Sequence, residues 1–126
     1  MVTTTGMFSG FSVTDVEEAR EFYGETLGLA VTVNEMGFLN IQLPAGGAVL
    51  VYGKPDHTPA TFTILNLEVD DIDVAADELE AAGVTLLRYE GAHQDERGIA
   101  RGRSAGYGPD IAWFTDPAGN VLSILH

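Results

Sequence analysis

The 126-residue chain has no cysteine, and it has only six lysines and arginines against nineteen aspartates and glutamates. Without cysteine it can form no disulfide, no thiolate metal site and no cysteine nucleophile. The net charge of −13 disfavours nucleic acid, whose phosphates require clustered cations, and it also disfavours anionic membranes. No apolar run approaches the roughly 20 residues that span a bilayer, and residues 1–6 do not resemble a signal peptide. We therefore expect a cytoplasmic protein without nucleic-acid or membrane partners.

The chain does contain an internal repeat. Superposing Phe8 on Ile64 also brings Asp15 onto Asp71. Each copy begins with a strand-like stretch, passes through an acidic turn into an amphipathic helix, and continues with three further strand-like stretches. The sequence therefore predicts one α+β domain, 1–126, made of two tandem βαβββ modules at 7–53 and 62–126 with a linker at 54–61.

Each predicted helix begins at a capping aspartate, Asp15 or Asp71, and ends before a glycine, Gly28 or Gly83. The predicted strands are 8–13, 29–34, 38–43 and 48–52 in the first module, and 63–69, 84–89, 111–115 and 121–125 in the second. The connection 91–109 is longer than most loops in compact domains, which indicates a functional lid.

Three segments carry a resemblance to a known family. They are Phe11-Ser12-Val13-Thr14-Asp15 with Glu21-Phe22-Tyr23 and Leu27-Gly28-Leu29; Leu67-Glu68-Val69-Asp70-Asp71; and Trp113-Phe114-Thr115-Asp116-Pro117-Ala118-Gly119-Asn120. Their order and spacing resemble the vicinal oxygen chelate superfamily, which includes glyoxalase I, extradiol dioxygenases and bleomycin-resistance proteins. The resemblance implies mixed sheets curved into cups, with helices on their outer face. It also implies a homodimer, because family members of this size commonly pair modules across a two-fold axis.

The resemblance further implies where a metal would bind in metal-dependent members. Carried over by position, the four ligands would fall on Phe8, on Leu50 or Val51, on Ile64 and on Ser123. None of these residues is a histidine or a carboxylate, and divalent metals need such nitrogen or oxygen donors. The three histidines, His57, His93 and His126, have no ligand-like spacing. We therefore expect no metal and no cofactor.

Strand alternation predicts what lines the cup instead. If Phe8 and Ile64 face inward, then Ser12, Asn66 and Glu68 share that face. Ser123 also faces inward, so the cup is mostly apolar with a few polar groups, a composition typical of a small-molecule pocket. Glu68 has two interpretations. It is either a partly solvated carboxylate at the sheet edge or a catalytic candidate, acting as a general base or as the counter-ion of a cationic ligand.

The long connection concentrates positive charge. Arg97, Arg101 and Arg103 provide half of the chain's cations. Because Asp95 and Glu96 adjoin them, one interpretation is a solvated loop with local ion pairs. The alternative is a clamp that binds an anionic carboxylate or phosphate through its guanidinium groups.

Two aromatic residues near that loop, Tyr107 and Trp113, can stack on a flat ligand, although core packing is the commoner use of such side chains. The candidate ligand-binding residues are therefore Phe8, Ser12, Ile64, Asn66, Glu68, Arg101, Arg103, Tyr107, Trp113 and Ser123.

These features favour three functions. The first is a metal-free small-molecule-binding protein of the glyoxalase/bleomycin-resistance type that sequesters a ligand. The second is a metal-independent isomerase, lyase or hydrolase that acts on a small anionic metabolite, with Glu68 as its base and the loop arginines holding the substrate. The third is an interaction module whose pocket no longer binds a ligand. A fold does not decide among them, because one fold can host many functions.

Overall fold

A computed structural model describes all residues, 1–126, and divides into two compact units, Met1–Pro59 (unit 1) and Ala60–His126 (unit 2). The boundary falls inside the segment 54–61 that the sequence predicts as a linker. Each unit contains one four-stranded mixed sheet and an N-terminally capped α-helix. The prediction of an α+β fold with two tandem βαβββ modules is confirmed.

Unit 1 contains strands β1 (Ser9–Val13), β2 (Val31–Val33), β3 (Leu39–Gln42) and β4 (Ala48–Gly53). Its helix α1 (Val16–Arg20) continues as a π-helix over Glu21–Thr26. The strand order is β1-β4-β3-β2, with β1 parallel to β4 and the other pairs antiparallel.

The helix of unit 1 begins and ends near the residues that the sequence predicts. The Asp15 carboxylate accepts a hydrogen bond from the backbone N–H of Glu18 at 3.1 Å and so satisfies one unpaired donor of the first turn. Toward its end the helix widens, because the Leu27 N–H donates to the Phe22 carbonyl five residues earlier, at 2.9 Å. Gly28 follows with φ of 71°, a left-handed conformation that suits glycine.

Alternate residues of β1, β3 and β4 form the core of unit 1 together with the helix. The buried strand residues are Phe11, Val13, Leu39, Ile41, Val49 and Val51. On the helix, Tyr23 is fully buried, and its ring centroid lies 5.6 Å from that of Phe11 and 5.2 Å from that of Phe22. The intervening strand residues point to the opposite side. They form the helix-free face of unit 1, made of Gly10, Ser12, Asn40, Leu50 and Tyr52.

Unit 2 contains strands β5 (Thr63–Glu68), β6 (Ala100–Arg101), β7 (Asp110–Thr115) and β8 (Val121–Leu125). Helix α2 spans Ile72–Ala81, and the short helix α3 spans Gly102–Ala105. The strand order β5-β8-β7-β6 repeats that of unit 1, again with one parallel pair, β5 with β8.

The strand predicted at 84–89 is wrong, and the corresponding edge strand is β6, inside the predicted loop. Segment 84–89 does run beside β7, since the Leu87 N–H donates to the Trp113 carbonyl at 2.8 Å. Two of its other backbone groups, however, bond to a side chain. The amide of Gln94 donates to the Leu87 carbonyl at 2.8 Å and accepts from the Tyr89 N–H at 2.7 Å. Gln94 thus occupies one acceptor and one donor that a regular strand ladder would use.

Helix α2 covers one side of the sheet of unit 2. The Asp71 side chain caps this helix by accepting from the backbone N–H groups of Asp73 and Val74. The core that α2 makes with β7 and β8 consists of Ile72, Ala75, Ala76, Leu79, Ala112, Phe114, Leu122 and Ile124, all buried. The alternate strand residues form the helix-free face of unit 2, made of Asn66, Glu68, Ile111, Trp113, Ser123 and Leu125. No helix of the protein is long and apolar enough to cross a membrane.

Candidate functional site

Three residues form a straight row across the helix-free face of unit 2. Asn66 on β5 pairs in register with Ser123 on β8, and Ser123 pairs with Trp113 on β7. The Ser123 hydroxyl donates to the Asn66 Oδ1 at 2.6 Å, and Ser123 itself is fully buried. The row therefore combines a fixed hydroxyl–amide pair with a half-buried indole ring. Strand alternation predicts the inward placement of Asn66 and Ser123, whereas Trp113 is a candidate only through its position near the long connection.

Tyr89 completes this face from a neighbouring segment. Its ring meets the Trp113 ring edge-on, with centroids 5.3 Å apart and planes at 84°, the geometry that aromatic quadrupoles favour. The Gln94 side chain bonds to the Tyr89 N–H and to the Leu87 carbonyl. It also donates to the Gly98 carbonyl at 2.7 Å. Tyr89 is not among the residues that the sequence predicts for the site, because the pattern at 84–89 predicts a strand and gives Gln94 no role.

Glu68 lies at the end of β5, beside Leu125 of β8 in register. It is exposed, so its carboxylate keeps its contact with solvent and is not desolvated. It is the only charged residue of this helix-free face. The first interpretation offered for Glu68, a carboxylate at the sheet edge, names the position that the structure shows. Its roles as base or counter-ion stay predictions.

The helix-free face of unit 1 carries a different set of groups. The Ser12 Oγ and the His57 Nδ1 lie 2.7 Å apart in a hydrogen bond. The rings of Phe38 and Tyr52 meet with centroids 6.3 Å apart and planes at 63°. His57 lies in the predicted linker, and no spacing signal connects it to a serine so far away in the chain. Tyr52 was not among the residues that the sequence predicts for the site, although it pairs in register with Ser12.

The two hydrophobic candidates lie at less regular positions. Phe8 precedes β1, is largely exposed, and borders a shallow groove of about 430 Å³ with Met7 and Leu43. Ile64 is half-buried at a register irregularity of β5, between Thr63 and Leu65. Their role in ligand binding stays a prediction.

The arginines of the long connection bind carboxylates on the helix side of unit 2. Arg101 makes a bidentate pair with Asp73 of α2, at 2.7 and 3.0 Å, and its Nε donates to the Asp95 carboxylate at 2.9 Å. Arg97 donates to the Asp77 carboxylate at 2.7 Å. The hydrogen bond to Asp73 is the main reason why the pKa of Arg101 is raised above its ordinary value. Two of the three cations are thus already paired.

Asp95 organises the turn that carries these arginines. Its Oδ1 accepts from the backbone N–H groups of Arg97 and Ile99, each at 2.9 Å. Partial burial acts to raise the pKa of the Asp95 carboxyl, but the hydrogen bonds from Ile99, Arg101 and Arg97 outweigh it, and the pKa is lowered overall. The part of the predicted lid from Asp95 to Ile99 is therefore a turn fixed by side-chain hydrogen bonds, while the role of 91–109 as a lid stays a prediction.

The remaining candidates of this region are exposed. Arg103 lies on α3, where its backbone N–H donates to the Asp110 carboxylate at 3.0 Å, and its side chain reaches solvent. Tyr107 follows α3 and is also exposed. A cavity of about 670 Å³ lies elsewhere in unit 2, between the end of α2 and residues 84–88, and it is bordered by Glu80, Arg88, Glu96 and Arg97. Its lining mixes both charges and includes no residue of the helix-free face.

The residues present do not fit a divalent metal. Strand β4 turns Leu50 to the helix-free face and buries Val51 on the opposite side, which settles the register that the sequence left open. Of the positions that would hold the ligands, only Ser123 has a polar side chain, and its hydroxyl is bonded to Asn66. No group of three or more histidine, aspartate or glutamate side chains in the structure could hold a metal ion. We therefore derive no chemistry through a metal.

Comparison with known proteins agrees with this architecture. Residues 7–124 match the sequence profile of the Glyoxalase/Bleomycin resistance protein/Dioxygenase superfamily. The chain belongs to this superfamily. An uncharacterized protein from Mycolicibacterium smegmatis (strain ATCC 700084 / mc(2)155) is 30% identical over 86 residues, which are 66% of this chain and 72% of that protein. The resemblance inferred from the three sequence segments is confirmed.

Two solved structures share the fold. TnmS3, an antibiotic binding protein from Streptomyces sp. CB03234, superposes with a TM-score of 0.67 at 24% identity, covering 99% of this chain and 97% of its own. A superfamily member from Sphaerobacter thermophilus DSM 20745 superposes with a TM-score of 0.68 at 24% identity, covering 98% and 97%. At these identities the likeness extends to the fold alone.

Proposed function

We propose that this glyoxalase-superfamily protein binds a small organic molecule without a metal centre and sequesters it, in the manner of bleomycin-resistance proteins. The observation that carries the proposal is the row on the helix-free face of unit 2. There a preorganised hydroxyl–amide pair, Ser123 with Asn66, lies beside the aromatic pair Trp113 and Tyr89. A few fixed polar groups in aromatic surroundings are typical of small-molecule sites.

The donor chemistry and one structural relative support the same proposal. Since the positions of the family's metal ligands hold no donor set, the face offers hydrogen bonds and aromatic contacts as its means of recognition. TnmS3, which shares the fold, is described as an antibiotic binding protein. An antibiotic or a similar organic compound is therefore the first class of ligand to test.

The isomerase or lyase alternative has less support. It requires cations for an anionic substrate, whereas Arg97 and Arg101 are paired with carboxylates of α2. It also requires a base, and Glu68, the candidate for that role, is exposed at the edge of its sheet.

A thermal-shift screen of EDTA-treated protein tests the proposal. Cationic antibiotics, acyl thioesters and carboxylates would be compared, because a ligand at one hundred times its dissociation constant stabilises the native state by roughly 2.7 kcal/mol. We expect at least one compound to raise the Tm, and mass spectrometry to recover it unchanged. Recovery of a converted product would favour the enzyme, and the absence of any shift in all three classes would contradict a binding function and favour the interaction module.

We also propose that the protein is a homodimer located in the cytoplasm, as the family resemblance and the composition lead us to expect. Sedimentation equilibrium at micromolar concentration should give twice the mass of the chain. A single species with the mass of one chain would contradict the dimer.

A further inference from the structure

We propose that the helix-free face of unit 2 selects a planar aromatic ligand that carries a positive charge. In this proposal Trp113 and Tyr89 contact the ring system, and Glu68 binds the charged group. The inference rests on the small-molecule-binding function proposed above and names the class of ligand that the site accepts.

The aromatic part of the preference follows from the geometry of Trp113. This residue lies on β7, between the edge strand β6 and the polar pair of Ser123 and Asn66. It is half-buried. Tyr89 meets it edge-on at 5.3 Å, and Tyr89 is itself exposed. Two rings at right angles present one face and one edge to a third ring, so a flat ligand can stack on one and contact the other edge-on. A cationic ring system would gain a further attraction from the face of an indole.

The preference for positive charge follows from which charged groups face the ligand. Glu68 is the only charged residue on the helix-free side of the four strands of unit 2. The other two charged strand residues, Arg101 and Asp110, face the side of α2, where Arg101 binds Asp73 and Asp110 accepts from a backbone N–H. The local field on the helix-free face is therefore negative, which attracts cations and repels anions.

Hydrogen bonds around Asn66 are consistent with this polarity. Its Oδ1 accepts from the buried Ser123 hydroxyl at 2.6 Å, and a carbonyl oxygen can accept two such bonds. A ligand ammonium or amine group near β5 would thus meet the Glu68 carboxylate and the Asn66 carbonyl oxygen, which are both acceptors. The Asn66 Nδ2 could donate to an anionic ligand, but the four strands place no cation on this face to balance the charge of Glu68 and the ligand.

The position of Tyr89 depends on Gln94, which makes Gln94 a positioning residue. Its side chain bonds to the backbone of Leu87 and of Tyr89, at 2.8 and 2.7 Å. These bonds hold the segment that places the Tyr89 ring against Trp113. Replacing Gln94 would therefore alter the aromatic contact without removing either ring.

The chain has one tryptophan, so its fluorescence reports directly on this face. We would titrate the full chain with proflavine, a planar three-ring cation, and with anthracene carboxylate, a planar three-ring anion. We expect proflavine to quench Trp113 with saturation and to bind more tightly than the anion. Glu68→Gln should weaken proflavine binding roughly five-fold, the upper range for one exposed ion pair.

Glu78→Gln serves as the matched control, because Glu78 lies exposed on α2 and its substitution changes the net charge by the same amount. It should leave the affinity for proflavine unchanged. Circular dichroism would establish that both variants are folded. Equal affinity in Glu68→Gln and in the native protein, tighter binding of the anion, or no saturable quenching by proflavine would each overturn the inference. The proposed function would still stand in those cases if the thermal-shift screen finds any other ligand, and it would fall only if that screen finds none.

Discussion

The substitution Arg101→Gln distinguishes a structural role for the loop arginines from an anion clamp. Arg101 binds two carboxylates, Asp73 through a bidentate pair and Asp95 through its Nε, at distances from 2.7 to 3.0 Å. Its side chain is 33% exposed and that of Asp95 is 26% exposed, so solvent screens the pairs substantially. Exposed pairs contribute about 0.2–1 kcal/mol, and bidentate geometry favours the upper end.

We therefore expect Arg101→Gln to lower the free energy of unfolding by about 1 kcal/mol at low salt. For a chain of this size the corresponding fall in Tm is roughly 3–6 °C. Urea denaturation would measure the free energy of unfolding and thermal denaturation the Tm, each followed by circular dichroism at low salt and at 1 M salt. The effect should shrink at 1 M salt, because the Debye length falls to about 3 Å.

Arg103→Gln is the control for this experiment. Arg103 is exposed on α3, and its hydrogen bond to the Asp110 carboxylate comes from the backbone N–H and not from the guanidinium. It should change stability by less than about 0.5 kcal/mol. Ligands found by the thermal-shift screen should bind Arg101→Gln as they bind the native protein. The reasoning is refuted if the two variants are equally stable, or if Arg101→Gln weakens ligand binding ten-fold while its stability is unchanged.

Three further predictions concern other contacts. Ser123→Ala should cost about 0.5–1.5 kcal/mol in a urea titration, the net contribution of one hydrogen bond, because it removes the 2.6 Å bond to the exposed Asn66; an unchanged midpoint would contradict this. Asp71→Ala should lower the free energy of unfolding by about 1 kcal/mol, because the N-terminal cap of α2 is lost. A matched Asp71→Asn should retain most of the stability, since asparagine can also cap a helix. The pKa of the Asp95 carboxyl is lowered in the folded protein, so its ionised form stabilises the fold at pH values above the ordinary carboxyl pKa of about 3.9. This stabilisation is lost as the pH falls through the lower pKa of the folded state. The stability difference between native protein and Asp95→Asn should therefore be constant near pH 6–7 and shrink below about pH 4, and a difference that grew on acidification would show the opposite sign.

Much of the fold follows from local signals in the sequence. The capping aspartates and the strand alternation predict both modules, because these signals involve residues close together in the chain. The edge strand β6 escapes such prediction, since its two residues, Ala100 and Arg101, are too few to show alternation. The same limit explains the wrong strand at 84–89, where one glutamine side chain from further along the chain takes the backbone groups that a neighbouring strand would have used.

The candidate site shows a similar division. Alternation was enough to put Asn66 and Ser123 on one face, since it needs only the position of each residue in its strand. Trp113 was a candidate only because it lies near the long connection, and its place beside Ser123 follows from the register of β7 with β8. The partners of the arginines were not predictable in that way. Proximity in sequence indicated Asp95 and Glu96, whereas the carboxylates that bind Arg101 also include Asp73, which the fold of unit 2 brings close from a distant turn of α2. Long-range pairing of this kind leaves no local pattern.

The central claim is that the helix-free face of unit 2 binds a small molecule without a metal. A ¹H–¹⁵N correlation spectrum of EDTA-treated protein, titrated with a ligand from the thermal-shift screen, tests it most directly. We predict saturable shifts of the Trp113 indole N–H and the Asn66 side-chain amide, with little change at Asp77 and Glu78 on α2. Shifts confined to α2 or to the turn around Asp95, or shifts that appear only after a divalent metal is added, would contradict the account.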